Sequence, residues 1–102
     1  MSEHVIVIGS GFGGLASALR ARKMGFDVTV IERLDQLGGR AQTFERNGFV
    51  FDAGPTVITA PFLFNELFEL FDRKIEDYVE ILPVTPWYRY EFNDGTYLNY
   101  GG

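Results

Sequence analysis

Four aliphatic residues, Val5-Ile6-Val7-Ile8, run straight into Gly9-Ser10-Gly11-Phe12-Gly13-Gly14, and no other stretch of the chain restricts the fold so tightly. A short β-branched run bounded by glycine is a buried strand. Leu15, Ala16, Ala18, Leu19 and Ala21 then supply good helix formers and one apolar face. The pattern predicts a strand from His4 to Ile8, a helix from about Gly13 to Met24, and a helix stop at Gly25. Asp27-Val28-Thr29-Val30-Ile31 follows as a second strand, again β-branched. A strand, a helix and a strand at this spacing make a parallel crossover, so the expected fold class is α/β with a Rossmann-like βαβ unit.

The turn has a chemistry of its own. Gly9 leaves the strand through backbone angles that a Cβ penalises. Gly11 lets a pyrophosphate approach bare backbone, and Gly14 lets the helix pack closely on the strand. Ser10, Phe12 and Gly13 complete the same phosphate-facing turn. The first helical N–H groups have no intrahelical partner and sit at the positive end of the helix dipole. An anion is therefore expected here even though the chain carries a net charge of −5. Glu32, with Arg33 beside it, closes the second strand where a carboxylate can accept both ribose hydroxyls of an adenosine. An acid at this point repels a 2′-phosphate, which disfavours NADP.

Past Glu32 the chain reads Leu37-Gly38-Gly39-Arg40. Paired glycines beside a strand end allow close backbone approach, and Arg40 offers a planar donor fork to a phosphate or carboxylate. Taken alone, Gly-Gly-Arg reads by default as a loop with a surface arginine. Thr43–Arg46 and Phe49–Asp52 flank Asn47-Gly48, a two-residue hairpin signal. Ala53-Gly54-Pro55-Thr56-Val57-Ile58-Thr59 is a loop of restricted freedom, with Asp52 expected to anchor it through backbone N–H groups.

GSGFGGLASALRARKMGFDVTVIERLDQLGGRAQTF, followed by GFVFDAGPTVIT and later YVEILPVTPWYR, resembles the amino-terminal region of bacterial and fungal phytoene desaturases and related carotenoid desaturases. The glycine turn and the ER…LGGR pattern mark a wider flavoprotein superfamily, and the other two stretches are more specific. The resemblance implies FAD as cofactor and the two-domain fold of amine oxidases. It implies a hydrophobic polyene substrate and peripheral membrane contact of a cytoplasmic protein. It further implies that Gly9, Gly11 and Gly14 line the pyrophosphate, that Glu32 holds the adenosine ribose, and that Gly39 and Arg40 follow the pyrophosphate and ribityl chain. Gly54, Pro55 and Thr56 would lie near the isoalloxazine ring. Ser10 stands where many members have alanine, a small polar change that a neighbouring phosphate tolerates. Two other readings share the fold: another FAD oxidoreductase of amine oxidase, carotenoid isomerase or retinol saturase type, and a non-catalytic prenyl-lipid carrier.

Of 102 residues, residues 1–60 are expected to form the FAD-binding unit with its flavin-contacting loops. Residues 61–102 are expected to lead into an incomplete substrate domain, with the whole a piece of a longer polypeptide. The absence of cysteine excludes thiolate catalysis and Cys-based metal sites within this stretch. His4 has no companion ligands and reads as a strand-edge residue; no metal site is expected. Acidic charge without a basic cluster argues against nucleic acid. With His4 opening the first strand only three residues precede it, so no signal peptide is expected, and no apolar run approaches the ~20 residues that span a bilayer.

Pro61 to Phe71 reads as a helix, with Thr59 as N-cap and Pro61 in its first turn. Its apolar face of Leu63, Phe64, Leu67, Phe68, Leu70 and Phe71 is ordinarily core. Contact with a hydrocarbon substrate or a membrane is the sharper alternative, weakened by the lack of Lys and Arg on the helix. Val79–Val84 and Trp87–Phe92 read as strands, and Asn93-Asp94-Gly95-Thr96 turns into Tyr97–Tyr100. Trp87, Tyr88 and Tyr90 are candidate substrate-lining residues, although such aromatic stripes are more often sheet packing. No catalytic residue is assigned.

Overall fold

The structure, a computed structural model, describes residues 3–102. Strand β1 (His4–Ile8) pairs in parallel with β2 (Asp27–Ile31), in a register that sets His4 beside Asp27 and Ile8 beside Ile31. Helix α1 (Phe12–Lys23) makes the crossover. It ends in a Schellman motif, with the Gly25 N–H donating to the Arg22 carbonyl at 3.1 Å and the Phe26 N–H to the Ala21 carbonyl at 3.2 Å. Gly25 takes φ +102°, which explains why glycine occupies that position. Arg20, Arg22 and Lys23 in the last turn complement the negative end of the helix.

The close fit of α1 on β1 depends on Gly14. A Cβ there would overlap the Gly9 carbonyl oxygen and lie 2.9 Å from the Gly9 carbonyl carbon. Val5, Val7 and Val28 are half-buried, and Ala18 of α1 is buried. The alternate residues Ile6 and Ile8 are 60% and 86% exposed, so one face of this parallel pair is open. His4 is exposed, and its Nε2 lies 2.8 Å from Thr29 Oγ1 across the pair, as suits a strand-edge residue.

Strands β3 (Thr43–Arg46) and β4 (Phe49–Asp52) form an antiparallel hairpin. Its turn residues Asn47 and Gly48 both have positive φ (52° and 82°), as a type I′ connection requires. Helix α2 (Pro61–Glu69) follows and packs against α1 through an edge-on contact of Phe12 with Phe64, centroids 5.1 Å apart. Beyond it a single 3-10 turn, Ile75–Asp77, buries Ile75. Strands β5 (Tyr88–Glu91) and β6 (Tyr97–Tyr100) close the order as a second antiparallel hairpin. Asp94 Oδ1 accepts hydrogen bonds from the N–H and the hydroxyl of Thr96 in that turn, and these bonds hold its carboxyl below the usual range.

Three expectations are corrected. Val79–Val84 forms no strand, and Pro83 within it has no N–H to give a ladder. Thr59 is not the cap of α2: Ala60 is, without a side-chain hydrogen bond, while Pro61 does open the helix. The Asp52 carboxylate accepts no hydrogen bond among the described residues. The loop after β4 is tied instead by the Ala53 N–H, which donates to the Gln42 carbonyl at 2.9 Å and extends the β3–β4 ladder by one rung.

The three two-stranded sheets do not merge. The radius of gyration is 18.1 Å, against about 13 Å for a compact domain of 100 residues. Replacing Gly14 with Ala in the full-length protein should lower stability by about 1–3 kcal/mol through overpacking against β1. The check is the thermal unfolding midpoint; an unchanged value would show that the turn yields freely.

Candidate functional site

The carboxyl ends of β1 and β2 lie side by side, because the Gly9 N–H donates to the Ile31 carbonyl at 2.8 Å. Chain direction then places the glycine turn and Glu32 next to each other, and this is where open α/β sheets bind ligands. Gly9 adopts φ +101°, the left-handed exit expected of it. Gly11 caps α1, and the first intrahelical bond runs from the Leu15 N–H to the Gly11 carbonyl at 2.9 Å. The amides of Phe12, Gly13 and Gly14 therefore have no partner inside the helix and stand at its positive end. No acidic side chain occupies the first turn to compete for them.

Glu32 is held in a specific way. Its Oε2 accepts from the Ser10 hydroxyl at 2.6 Å and from the Ser10 N–H at 2.8 Å. Its Oε1 accepts from the Leu34 N–H at 3.2 Å. The hydroxyl bond of Ser10 is the main cause that keeps this carboxyl below its ordinary value, with the backbone bonds from Ser10 and Leu34 adding to it. An ionised carboxylate has about four acceptor positions, of which these donors take three. The expectation that Glu32 is free to receive both ribose hydroxyls is thus narrowed to the position left on Oε1.

The loop after β2 folds back over the turn. The Gly38 N–H donates to the Ser10 carbonyl at 2.9 Å, and Gly38 and Gly39 have φ of +109° and +60°. A Cβ on Gly39 would stand 2.9 Å from Gly11 Cα, so Gly39 has no space for a side chain, whereas a Cβ on Gly11 would meet Gly39 Cα at an ordinary 3.8 Å. A 3-10 turn, Gly39–Ala41, carries Arg40, whose exposed guanidinium enters no ion pair among the described residues. Gly54 joins the same cluster: a Cβ there would overlap the Arg40 carbonyl oxygen and lie 3.0 Å from its carbon. Gly9, Ser10, Gly11, Gly14, Glu32, Gly39, Arg40 and Gly54 therefore form one contiguous site.

The remaining predicted residues lie differently. Phe12 turns its ring away from the crevice into an apolar groove of about 530 Å³ between α1 and α2, which leaves only its N–H for the site. Gly13 has open space around its Cα. Arg33 is exposed just past Glu32, and Pro55 is exposed beside Gly54. Thr56 borders a separate cleft of about 390 Å³ with Ile58, Ile81, Leu82, Val84 and Trp87. Trp87 thus reaches the cleft, whereas Tyr88 and Tyr90 do not line it. Reasoning from the sequence overlooked the inward role of the Ser10 hydroxyl. The only available signal was a polar residue at a position where alanine suffices.

Together the bare turn, the free amides and the ionised strand-end carboxylate define a dinucleotide-binding crossover. The chain belongs to the NAD(P)-binding Rossmann-like domain family, whose model matches residues 7–73. It is 52% identical over 94 residues to phytoene desaturase (lycopene-forming) of Pantoea ananas, covering 92% of this chain and 19% of that protein. The enzyme of the same name from Pseudescherichia vulneris is 50% identical over 98 residues, covering 96% of this chain and 20% of its own. The 4,4'-diaponeurosporene oxygenase of Staphylococcus aureus is 38% identical over 99 residues, covering 97% of this chain and 20% of its own. The chain spans about a fifth of the length of these curated relatives. Among the described residues, no helix is long and apolar enough to cross a membrane.

A carboxyl lowered in the folded state contributes stability that is complete above its ordinary value of 4.5 and is lost as pH falls through its lower native value. Titrated in the full-length protein through its carboxyl carbon resonance, Glu32 should show a midpoint below 4.5. A midpoint at or above that value would mean that the Ser10 bonds are absent in solution.

Proposed function

We propose that this chain is the FAD-binding amino-terminal region of a carotenoid desaturase, which removes hydrogen from a phytoene-like polyene. The observation that carries this reading is the 50–52% identity to two phytoene desaturases across more than nine-tenths of the chain. The site is chemically suited to the adenosine diphosphate half of FAD. Neutral amides at a helix start favour a diphosphate, and an ionised acid favours ribose hydroxyls over a 2′-phosphate. FAD, when bound, supplies the hydride acceptor.

On this reading the amides of Phe12, Gly13 and Gly14 hold the pyrophosphate against the bare backbone of Gly11. Glu32 orients the ribose through Oε1. Gly39 and Arg40 follow the cofactor toward Gly54, Pro55 and Thr56, which would approach the flavin ring. Residues 1–60 would then be the cofactor unit and residues 61–102 the way into the substrate region. The cleft that Thr56 and Trp87 line is mostly aliphatic, with Glu80 among its walls, and it adjoins that loop at Thr56, where it offers room for a hydrocarbon chain. A water-insoluble polyene implies that the whole enzyme works at a membrane surface from the cytoplasmic side.

The test is to incubate the full-length protein with liposomes containing phytoene and to follow absorbance. Lengthening of the conjugated system is expected; an unchanged spectrum from flavin-loaded protein would assign the chain to another oxidation on this fold. Protein that stays colourless with added FAD would favour a carrier. Glu32→Lys should cut bound flavin by at least about tenfold, because it replaces a hydroxyl acceptor with a donor of the wrong sign. Flavin retained at the parent's stoichiometry would remove Glu32 from the site.

A further inference from the structure

We propose that Ser10 is a positioning residue: it locks the Glu32 carboxylate for the nucleotide's ribose and gives neither of its own donors to phosphate. The inference rests on the dinucleotide reading of the site and adds a residue that acts through another. Ser10 is wholly buried, at 0% exposure, and is the most enclosed residue among those described. A phosphate cannot reach a hydroxyl with no accessible surface. Both donors of Ser10 converge on one atom, Glu32 Oε2, at 2.6 and 2.8 Å. Its carbonyl accepts the Gly38 N–H at 2.9 Å, so one residue joins the glycine turn, the end of β2 and the Gly38-Gly39 loop.

The consequence is geometric. A glutamate at a strand end has three side-chain torsions, and ordering them costs entropy on binding. Fixing Oε2 on two donors from one rigid residue removes that cost beforehand and directs Oε1 away from Ser10. With alanine in place of Ser10, Glu32 would keep the N–H bond but lose the shorter, charge-assisted hydroxyl bond. The carboxylate would then be held only by the backbone N–H groups of residue 10 and Leu34, and Oε1 would be less firmly aimed.

A double-mutant cycle in the full-length protein tests this. Flavin-free parent, Ser10→Ala, Glu32→Ala and the double variant are titrated with FAD, and quenching of flavin fluorescence is read. Ser10→Ala should weaken FAD about fivefold in the parent background and by less than about twofold once Glu32 is alanine. An equal loss in both backgrounds would make Ser10 a packing residue, and parent affinity in Ser10→Ala would give it no role; either overturns the proposal. Glu32→Ala with unchanged FAD affinity would instead overturn the ribose reading beneath it. A second measurement needs no Glu32 variant. In the flavin-free protein, Ser10→Ala should move the Glu32 carboxyl midpoint upward, and an unmoved midpoint counts against the lock.

Discussion

Three places where backbone meets backbone without a Cβ between them hold this site together. Gly14 lies against the Gly9 carbonyl, Gly39 against Gly11 Cα, and Gly54 against the Arg40 carbonyl. The contacts run in series, from the helix to the strand exit, from that turn to the loop after β2, and from that loop to the one after β4. Segments far apart in the chain are thereby stacked within one residue's thickness. A methyl group at any of the three would push two of these segments apart, and the crevice would lose its shape before it lost any polar group. At Gly14, Gly39 and Gly54 glycine is thus a packing requirement, whereas at Gly9, Gly25 and Gly48, where a Cβ would meet nothing within 4 Å, the positive φ is what calls for it.

Electrostatics acts locally on that frame. The chain is acidic overall, with a net charge of −5, yet the turn presents unpaired amides and no carboxylate in the first turn of α1. The nearest acid, Glu32, is turned onto Ser10 and Leu34. Its negative charge is spread over three donors, while one acceptor position remains for a hydroxyl. On the proposed reading, a diphosphate and a ribose would meet opposite kinds of group within one crossover, amide donors for the former and a carboxylate for the latter. Long-range repulsion from the other acids is screened within about 8–10 Å at ordinary ionic strength.

Local chemistry made much of this legible. The β-branched runs, the Gly25 stop and the Asn47-Gly48 turn each follow from what a single residue's backbone tolerates, and each appears where expected. Glu32 was placed by counting along a crossover whose geometry varies little. What the sequence did not disclose depends on partners distant along the chain. Val79–Val84 has strand composition but no neighbour to bond, and composition cannot supply one. Thr59 has the right chemistry for a cap, but the helix starts one residue later than a Thr59 cap requires, at Pro61 behind Ala60. The Ser10–Glu32 lock spans 22 residues and shows in the sequence only as a serine in a turn of glycines.

Phe12 shows how the nucleotide end and the apolar side of the molecule are coupled. Its N–H belongs to the first turn of α1, at the crevice, while its ring packs edge-on against Phe64 of α2. The Arg20–Glu66 ion pair, at 3.4 Å and half exposed, adds little to that junction. The aromatic contact joins the two helices one residue after the cap at Gly11. The residue whose backbone opens α1 at the crevice is thus also one that touches α2. Glycine on both sides of Phe12 lets the backbone follow the crevice while the ring answers to the helix pair. Phe12 is thus the residue that ties the glycine turn to α2.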